Sequence, residues 1–255
     1  RRTRAYLETV GRVTDRPVRT LVNTHHHGDH THGNYLFRPA AVIGHAACRE
    51  LVIATGHPNW DGIFSPMDLG HLELEPPFVT FTDRLDVHVD DLAVELHHVG
   101  TAAHTTNDVV AWLPQRRVLF AGDLVFNGGT PFVVMGSVSG SLDALDRLAA
   151  LGAETIVPGH GDVCGPDVLD GLRRYLDFVQ RTAAGAKAAG LSPLEAARQA
   201  DLGPFAALTD AERLVGNLHR AYAELDGAAP GADIDLRAAI TDMLTFNGGP
   251  LRCLA

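Results

Sequence analysis

Cysteine is scarce in this sequence. Cys48, Cys164 and Cys253 are the only three, widely spaced and without a CxxC pair. That excludes a disulfide scaffold, a zinc ribbon and a redox couple, and the three read as reduced thiols of a cytoplasmic protein. Long apolar runs are also missing. Stretches such as Phe132–Met135 fall far short of the roughly 18 residues that a membrane span needs, so no membrane helix is expected. Positive charge is in deficit, with 21 basic against 31 acidic residues and a net charge of −10. Such a field repels phosphate backbones and argues against a nucleic-acid partner. The chain begins at Arg1 without a charged and apolar leader, so no signal peptide is expected. No GxSxG elbow or P-loop is present, and no internal repeat or low-complexity run interrupts the chain.

What is present suits a soluble globular chain. Of its 255 residues, 45% are hydrophobic and 20% charged, enough to bury a core in one large or two small domains. Residues 1–165 alternate strand-like runs with polar turns and a few helical stretches, the rhythm of an α/β or α+β core. Arg4–Thr14 reads as a helix. Val18–Asn23, Ala41–Gly44 and Phe78–Phe81 read as strands. Leu85–Val89 and Leu92–Leu96 form a hairpin about Asp90-Asp91, and Val109–Leu113 and Arg117–Phe120 form another about Pro114-Gln115-Arg116. Ser141–Leu151 has helical spacing, and Thr155–Val157 is a last short strand. From Pro166 the texture turns to Ala, Leu, Arg and Glu at helical spacing, so 166–255 is expected to be a helical extension of about four helices. Ser192 with Glu195, and Thr209 with Glu212, have capping-box spacing and should each start a helix, while Gly190, Gly203 and Gly227 sit where helices should end.

Fourteen histidines are an excess that needs a cause. Directly after the Val18–Asn23 strand stands Thr24-His25-His26-His27-Gly28-Asp29-His30. In an extended segment alternate side chains share a side, so His25, His27 and Asp29 can converge while His30 points elsewhere and can serve a second centre. Imidazole and carboxylate suit zinc, iron(II) or manganese, and the lack of nearby cysteine argues against a structural thiolate site. Downstream, His104 lies on a small-residue turn, Asp123 ends a strand-like run where a carboxylate can bridge two cations, and His160 sits in a glycine turn. His26 and His32 flank the cluster as candidate outer partners of ligating imidazoles.

The ordered set THxHxDH, AHT, FAGD and PGHG resembles the metallo-β-lactamase superfamily. The resemblance covers most of residues 18–165 and implies an α/β (α+β) fold, the αββα sandwich, with a dinuclear site at one edge. Carried over, His25, His27 and His104 would hold one metal, Asp29, His30 and His160 a second, and Asp123 would bridge them. Two Zn2+ ions are the implied cofactors, with Fe or Mn as substitutes. His27 is not the glutamate of the flavodiiron branch, and Asp123 is not the cysteine of the antibiotic-destroying branch. The resemblance also implies a strand-rich half-sheet ahead of the first helix. Residues 1–165 are therefore expected to be a metal-binding core lacking its N-terminal strands.

The stretches Asn23–Asn34, Thr101–Phe132, Leu202–Ala221 and Asn247–Ala255 are similar to the second-ring cyclase and thioesterase enzymes of actinorhodin-type aromatic polyketide pathways. That similarity implies a polyketide or acyl-thioester substrate, carried on an acyl carrier protein or released from it, and places the enzyme in antibiotic biosynthesis. A pair of cations can activate water toward a carbonyl and stabilise the developing oxyanion, with Asp29 and Asp123 as the catalytic carboxylates. The same pair could stabilise an enolate, so intramolecular aldol closure is chemically open. A general thioester hydrolase of the glyoxalase II kind is the alternative. Phe132 and Met135 in the apolar loop after Asp123 are candidate pocket walls, Trp60 a second, and Tyr35 a candidate proton donor. Self-association, possible for a helical extension of this kind, is left open.

Overall fold

The computed structural model describes residues 2–254. Helix α1 (Arg2–Val13) precedes β1 (Thr20–Val22), a single helical turn α2 (Gly28–Thr31), β2 (Ala41–His45), α3 (Ala46–Thr55) and β3 (Val79–Phe81). The three strands pair in parallel in the order β1-β2-β3. A second sheet holds β4 (Arg84–Val89), β5 (Leu92–His98), β6 (Val109–Leu113), β7 (Val118–Phe126) and β8 (Thr155–His160) in sequence order. It is antiparallel up to β7, and β8 returns parallel to β7 after helix α4 (Val138–Leu151). The tail is α5 (Asp167–Ala188), α6 (Pro193–Gln199), α7 (Arg213–Leu225) and α8 (Leu236–Asn247).

Alternation along β6 explains the layering. Val109 and Ala111 face the small sheet with Ile43 and Leu96, while Val110 and Trp112 face the helices. A strand covered on both sides has little room for polar side chains, which is why VVAWL reads as one apolar run. The larger apolar cluster runs from Trp112 and Leu119 through Leu145 to Leu172, Leu176, Leu214 and Leu218, so it extends on both sides of residue 165. Along α5 the buried residues Leu169, Leu172, Tyr175, Leu176, Val179 and Ala183 recur at helical spacing, forming the stripe that faces this core. Small residues permit the close packing: a Cβ on Gly136 would lie 1.8 Å from the Ala103 carbonyl oxygen.

Several local expectations change. Ala46–Thr55 is helical although no helix was expected there; the His45 side chain caps it by accepting from the Ala47 N–H at 3.2 Å. The Ser192–Glu195 capping box forms. The one at Thr209 does not. Helix α7 starts at Arg213 with Glu212 as an N-cap that makes no side-chain cap bond, because the Thr209 N–H that the Glu212 carboxylate would reach in a capping box is taken by the Gly128 carbonyl at 3.1 Å. Gly203 opens a 3-10 turn, and α6 has already ended at Gln199. Strand β7 continues to Phe126, so Asp123 lies within the strand rather than at its end, beside a register shift at Gly122. Strand β8 likewise runs on to His160.

Candidate metal centre

The chain leaves β1 extended and turns helical at Gly28, with His27 at φ −62° and ψ 148° as the last extended residue. This turn corrects the expectation that His25, His27 and Asp29 share one side. His25 and His27 fall in one group, and Asp29 goes with His30 into another. The turn is tightly packed: a Cβ on Gly28 would lie 2.3 Å from the His32 ring, which would have to move aside.

Four side chains form the first group. One ligand atom from each of His25, His27, His104 and Asp123 lies within 4.8 Å of all the others. His27 Nδ1 is 3.1 Å from His25 Nε2 and 2.9 Å from His104 Nε2. Asp123 Oδ2 is 3.9 Å from His25 Nε2 and 3.4 Å from His104 Nε2. The opposite nitrogens are held from behind. His25 Nδ1 meets the Thr24 hydroxyl at 3.1 Å, His104 Nδ1 donates to the Phe132 carbonyl, and His27 Nε2 lies 3.4 Å from Met135 Sδ. Such outer partners fix both ring plane and tautomer. The loop bearing His104 is pinned by Asp108, which accepts from the Thr105 N–H and hydroxyl at 2.7 Å each.

Asp29, His30 and His160 form the second group, again with ligand atoms within 4.8 Å of one another. Asp29 Oδ2 is 3.4 Å from His30 Nε2 and 3.3 Å from His160 Nε2. Asp123 touches both groups, with Oδ1 3.1 Å from His30 Nε2 and Oδ2 3.2 Å from His160 Nε2. Gly159 makes this possible, since a Cβ there would sit 1.9 Å from Asp123 Oδ1.

Electrostatics separate the groups. Burial, reinforced by the neighbouring imidazoles, pushes His25 and His27 well below the ordinary histidine range, so both present neutral rings. Burial opposes ionisation of Asp123, yet His30, His25 and His104 hold its carboxyl well below the usual carboxylate range. Desolvation likewise works against Asp29, and His160 and His30 overcome it. The converse holds for the two histidines that face both carboxylates. Burial disfavours their charge, but Asp123 and Asp29 raise His30 well above its ordinary value and His160 to about 9. Two carboxylates thus draw positive charge to the point where the groups meet, as a divalent cation would supply it. His30 Nε2 and Asp123 Oδ1 are buried and close, yet neither makes an aligned hydrogen bond. Neutral imidazoles, two ionised carboxylates and orphaned donor atoms all fit a pair of borderline cations such as zinc, iron(II) or manganese.

The other candidates lie in different surroundings. Met135 is 36% exposed at the edge of the first group. The Phe132 ring packs on α7, where a Cβ at Gly216 would come within 2.9 Å of it, and its carbonyl is what serves His104. Trp60 packs edge to face on Phe64, 5.3 Å between ring centroids. The Tyr35 hydroxyl donates to the His71 carbonyl at 2.7 Å. His26 is buried with its Nδ1 3.0 Å from Asn107 Nδ2, and burial lowers it to about 4. His32 faces the His57 ring at 5.2 Å.

Residues missed in the sequence come from α7. Arg213, Asn217 and Arg220, spaced i, i+4 and i+7, grip the main chain of 130–134. Arg213 donates to the Thr130 carbonyl at 3.0 Å, and Asn217 donates to the Pro131 carbonyl and accepts from the Val133 N–H. Arg220 donates twice to the Val134 carbonyl. Three polar residues repeating on one helix face is the signal that marks them.

Two sheets layered between helices, with two adjoining sets of candidate metal ligands at one edge, define the class as an αββα sandwich. A family model described as the metallo-beta-lactamase superfamily matches residues 2–160, and the chain belongs to that superfamily. It is 29% identical over 140 residues to a hydroxyacylglutathione hydrolase of Rhodospirillum rubrum, covering 54% of this chain and 45% of that protein. It is 27% identical over 110 residues to a metallo-beta-lactamase type 2 of Bacteroides fragilis, covering 40% and 43%. The matches thus span less than half the length of these relatives. A solved metallo-beta-lactamase from Pontibacter korlensis shares the fold, with TM-score 0.56 and 22% identity over 68% of this chain and 76% of that one. No helix among the described residues is long and apolar enough to cross a membrane.

Proposed function

We propose that this chain is a dinuclear metal-dependent thioesterase whose acyl group is an aromatic polyketide intermediate, delivered on an acyl carrier protein or already released from it. Residues 1–165 carry the centre and 166–255 form its helical extension. The observation that carries the reading is the Asp123 carboxylate, which reaches both ligand groups within 3.1 to 3.4 Å. His25, His27 and His104 would hold one cation and Asp29, His30 and His160 the other, with Asp123 between them. Bound there, two cations supply Lewis acidity toward a thioester carbonyl and make water acidic enough to attack it at neutral pH.

The chain's own groups do the rest. Asp29, with its side chain 58% exposed, faces the open side and can orient water and accept its proton. Asp123 is buried and keeps its charge, so it serves as the fixed anion of the centre. Met135 lines the rim beside His27, while the Phe132 ring packs on α7 and its carbonyl holds His104. Aldol closure of a second ring uses the same polarised carbonyl and stands as a further outcome on the same substrate. Three free thiols fit a reducing, cytoplasmic setting.

A second reading is favoured by the hydroxyacylglutathione hydrolases among the relatives: the thiol partner would then be glutathione. Both readings cleave a thioester and differ in which side is recognised. The test is turnover of two probes by the purified chain, an aromatic β-ketoacyl thioester of N-acetylcysteamine and S-lactoylglutathione, with and without chelator. Preference for the aromatic acyl probe, abolished by chelation and restored by zinc, is the expected result. Preference for S-lactoylglutathione shifts the assignment to the second reading, and turnover indifferent to chelator ends both.

A further inference from the structure

We infer that Arg213, the first residue of α7, is a positioning residue for the second ligand group, acting through Phe126 on His160. The inference rests on the reading of Asp29, His30 and His160 as ligands of a cation. Phe126, the last residue of β7, is the register partner of His160 on β8, and the two rings lie nearly parallel, 5.1 Å between centroids and 5° between planes. The Arg213 guanidinium stands over the same phenyl ring, 5.1 Å from its centroid. A cation over an aromatic face holds that face in place, and a stacked imidazole takes its plane from its neighbour.

What distinguishes His160 from His25 and His104 is the lack of a hydrogen-bond partner behind the ring. His25 and His104 are each fixed from behind, by the Thr24 hydroxyl and the Phe132 carbonyl. Among the described residues, His160 Nδ1 makes no hydrogen bond, so beyond the carboxylates at Nε2 the stack on Phe126 is what constrains the ring plane. Arg213 is itself fixed firmly enough to pass that constraint on. It is only 7% exposed, donates to the Thr130 carbonyl and pairs with Asp210 at 3.0 Å. Asp210 also accepts from the Leu254 N–H at 2.8 Å, so the pair is tied to the C-terminal segment as well. A buried ion pair seldom adds much stability, but it specifies one arrangement well.

The test is metal binding by the full chain, reconstituted with cobalt(II) and followed by its visible absorption and by chelator competition. Arg213→Met keeps an unbranched apolar stem but removes the guanidinium, its charge and both of its polar contacts. It should bind the first ion within about twofold of the parent while weakening the second by roughly 10- to 100-fold, the usual cost of losing an outer partner. Arg213→Lys, which restores a cation over the ring, should recover most of that loss, a rescue that a purely structural role does not give.

Phe126→Leu, which keeps an apolar side chain but removes the stack, should reproduce the selective loss and carries the test if Arg213→Met fails to fold. Unchanged affinities and spectra in a folded Arg213→Met or Phe126→Leu chain, or equal weakening of both ions, overturn the inference. A parent chain that takes up fewer than two ions overturns the dinuclear reading beneath it before any variant is made.

Discussion

The two ligand groups sit side by side and share Asp123, yet they are built differently. His25, His104 and Asp123 are buried, and each histidine of the first group has a partner on its far nitrogen. The second is more open: Asp29 is mostly exposed, and behind its carboxylate contacts His160 is backed by a stacked ring rather than a hydrogen bond. The difference teaches a division of labour. A desolvated, pre-oriented donor set binds tightly because little ordering is left to do at binding. An exposed set leaves room for water and substrate, at a cost in affinity.

Removing what the groups share should have the largest effect. Asp123→Asn replaces the carboxylate that both groups contact by a neutral amide and should lose both ions, with turnover of the aromatic thioester down by at least ~100-fold, the upper end of what losing a mere outer partner costs. Metal content and kcat/KM check it, and a variant that keeps both ions would break the idea of a common bridge. Graded chelation tests the contrast directly. The ion of the open group should leave first, with an affinity gap of roughly tenfold or about 1.4 kcal/mol. Simultaneous release would mean that the groups are equivalent. The smallest effect belongs outside both. Tyr35→Phe removes a hydrogen bond to the His71 carbonyl and should cost about 1 kcal/mol in thermal unfolding, with kcat altered less than about twofold. A large fall in kcat would move Tyr35 back among the proton donors.

How far the centre was legible in the sequence depends on where its information resides. His25, His27, Asp29 and His30 lie within six residues, so a local motif exposes them. His104, Asp123 and His160 are scattered, and only the ordered resemblance joins them. The supports were illegible for a physical reason. The group that serves His104 is the Phe132 carbonyl, and a main-chain atom leaves no trace in residue identity. Arg213 reads as an ordinary basic residue near a helix start until the fold brings Phe126 beneath it. Among the elements, the hairpins and the α5 stripe were legible from periodicity. The Thr209 cap was not, because a distant loop claimed the main-chain N–H that a local rule left free.

The grip of α7 on residues 130–134 has a consequence for how the mouth of the centre can change. Arg213, Asn217 and Arg220 seize main-chain carbonyls that every residue possesses and one N–H that any residue but proline supplies. The loop's path is therefore largely indifferent to the side chains that decorate its outer edge. Met135 can be exchanged for a larger or smaller neighbour of the incoming molecule while His104 keeps its anchor and only the thioether contact to His27 is given up, so what the mouth admits can drift over evolutionary time with little change in the rest of the centre.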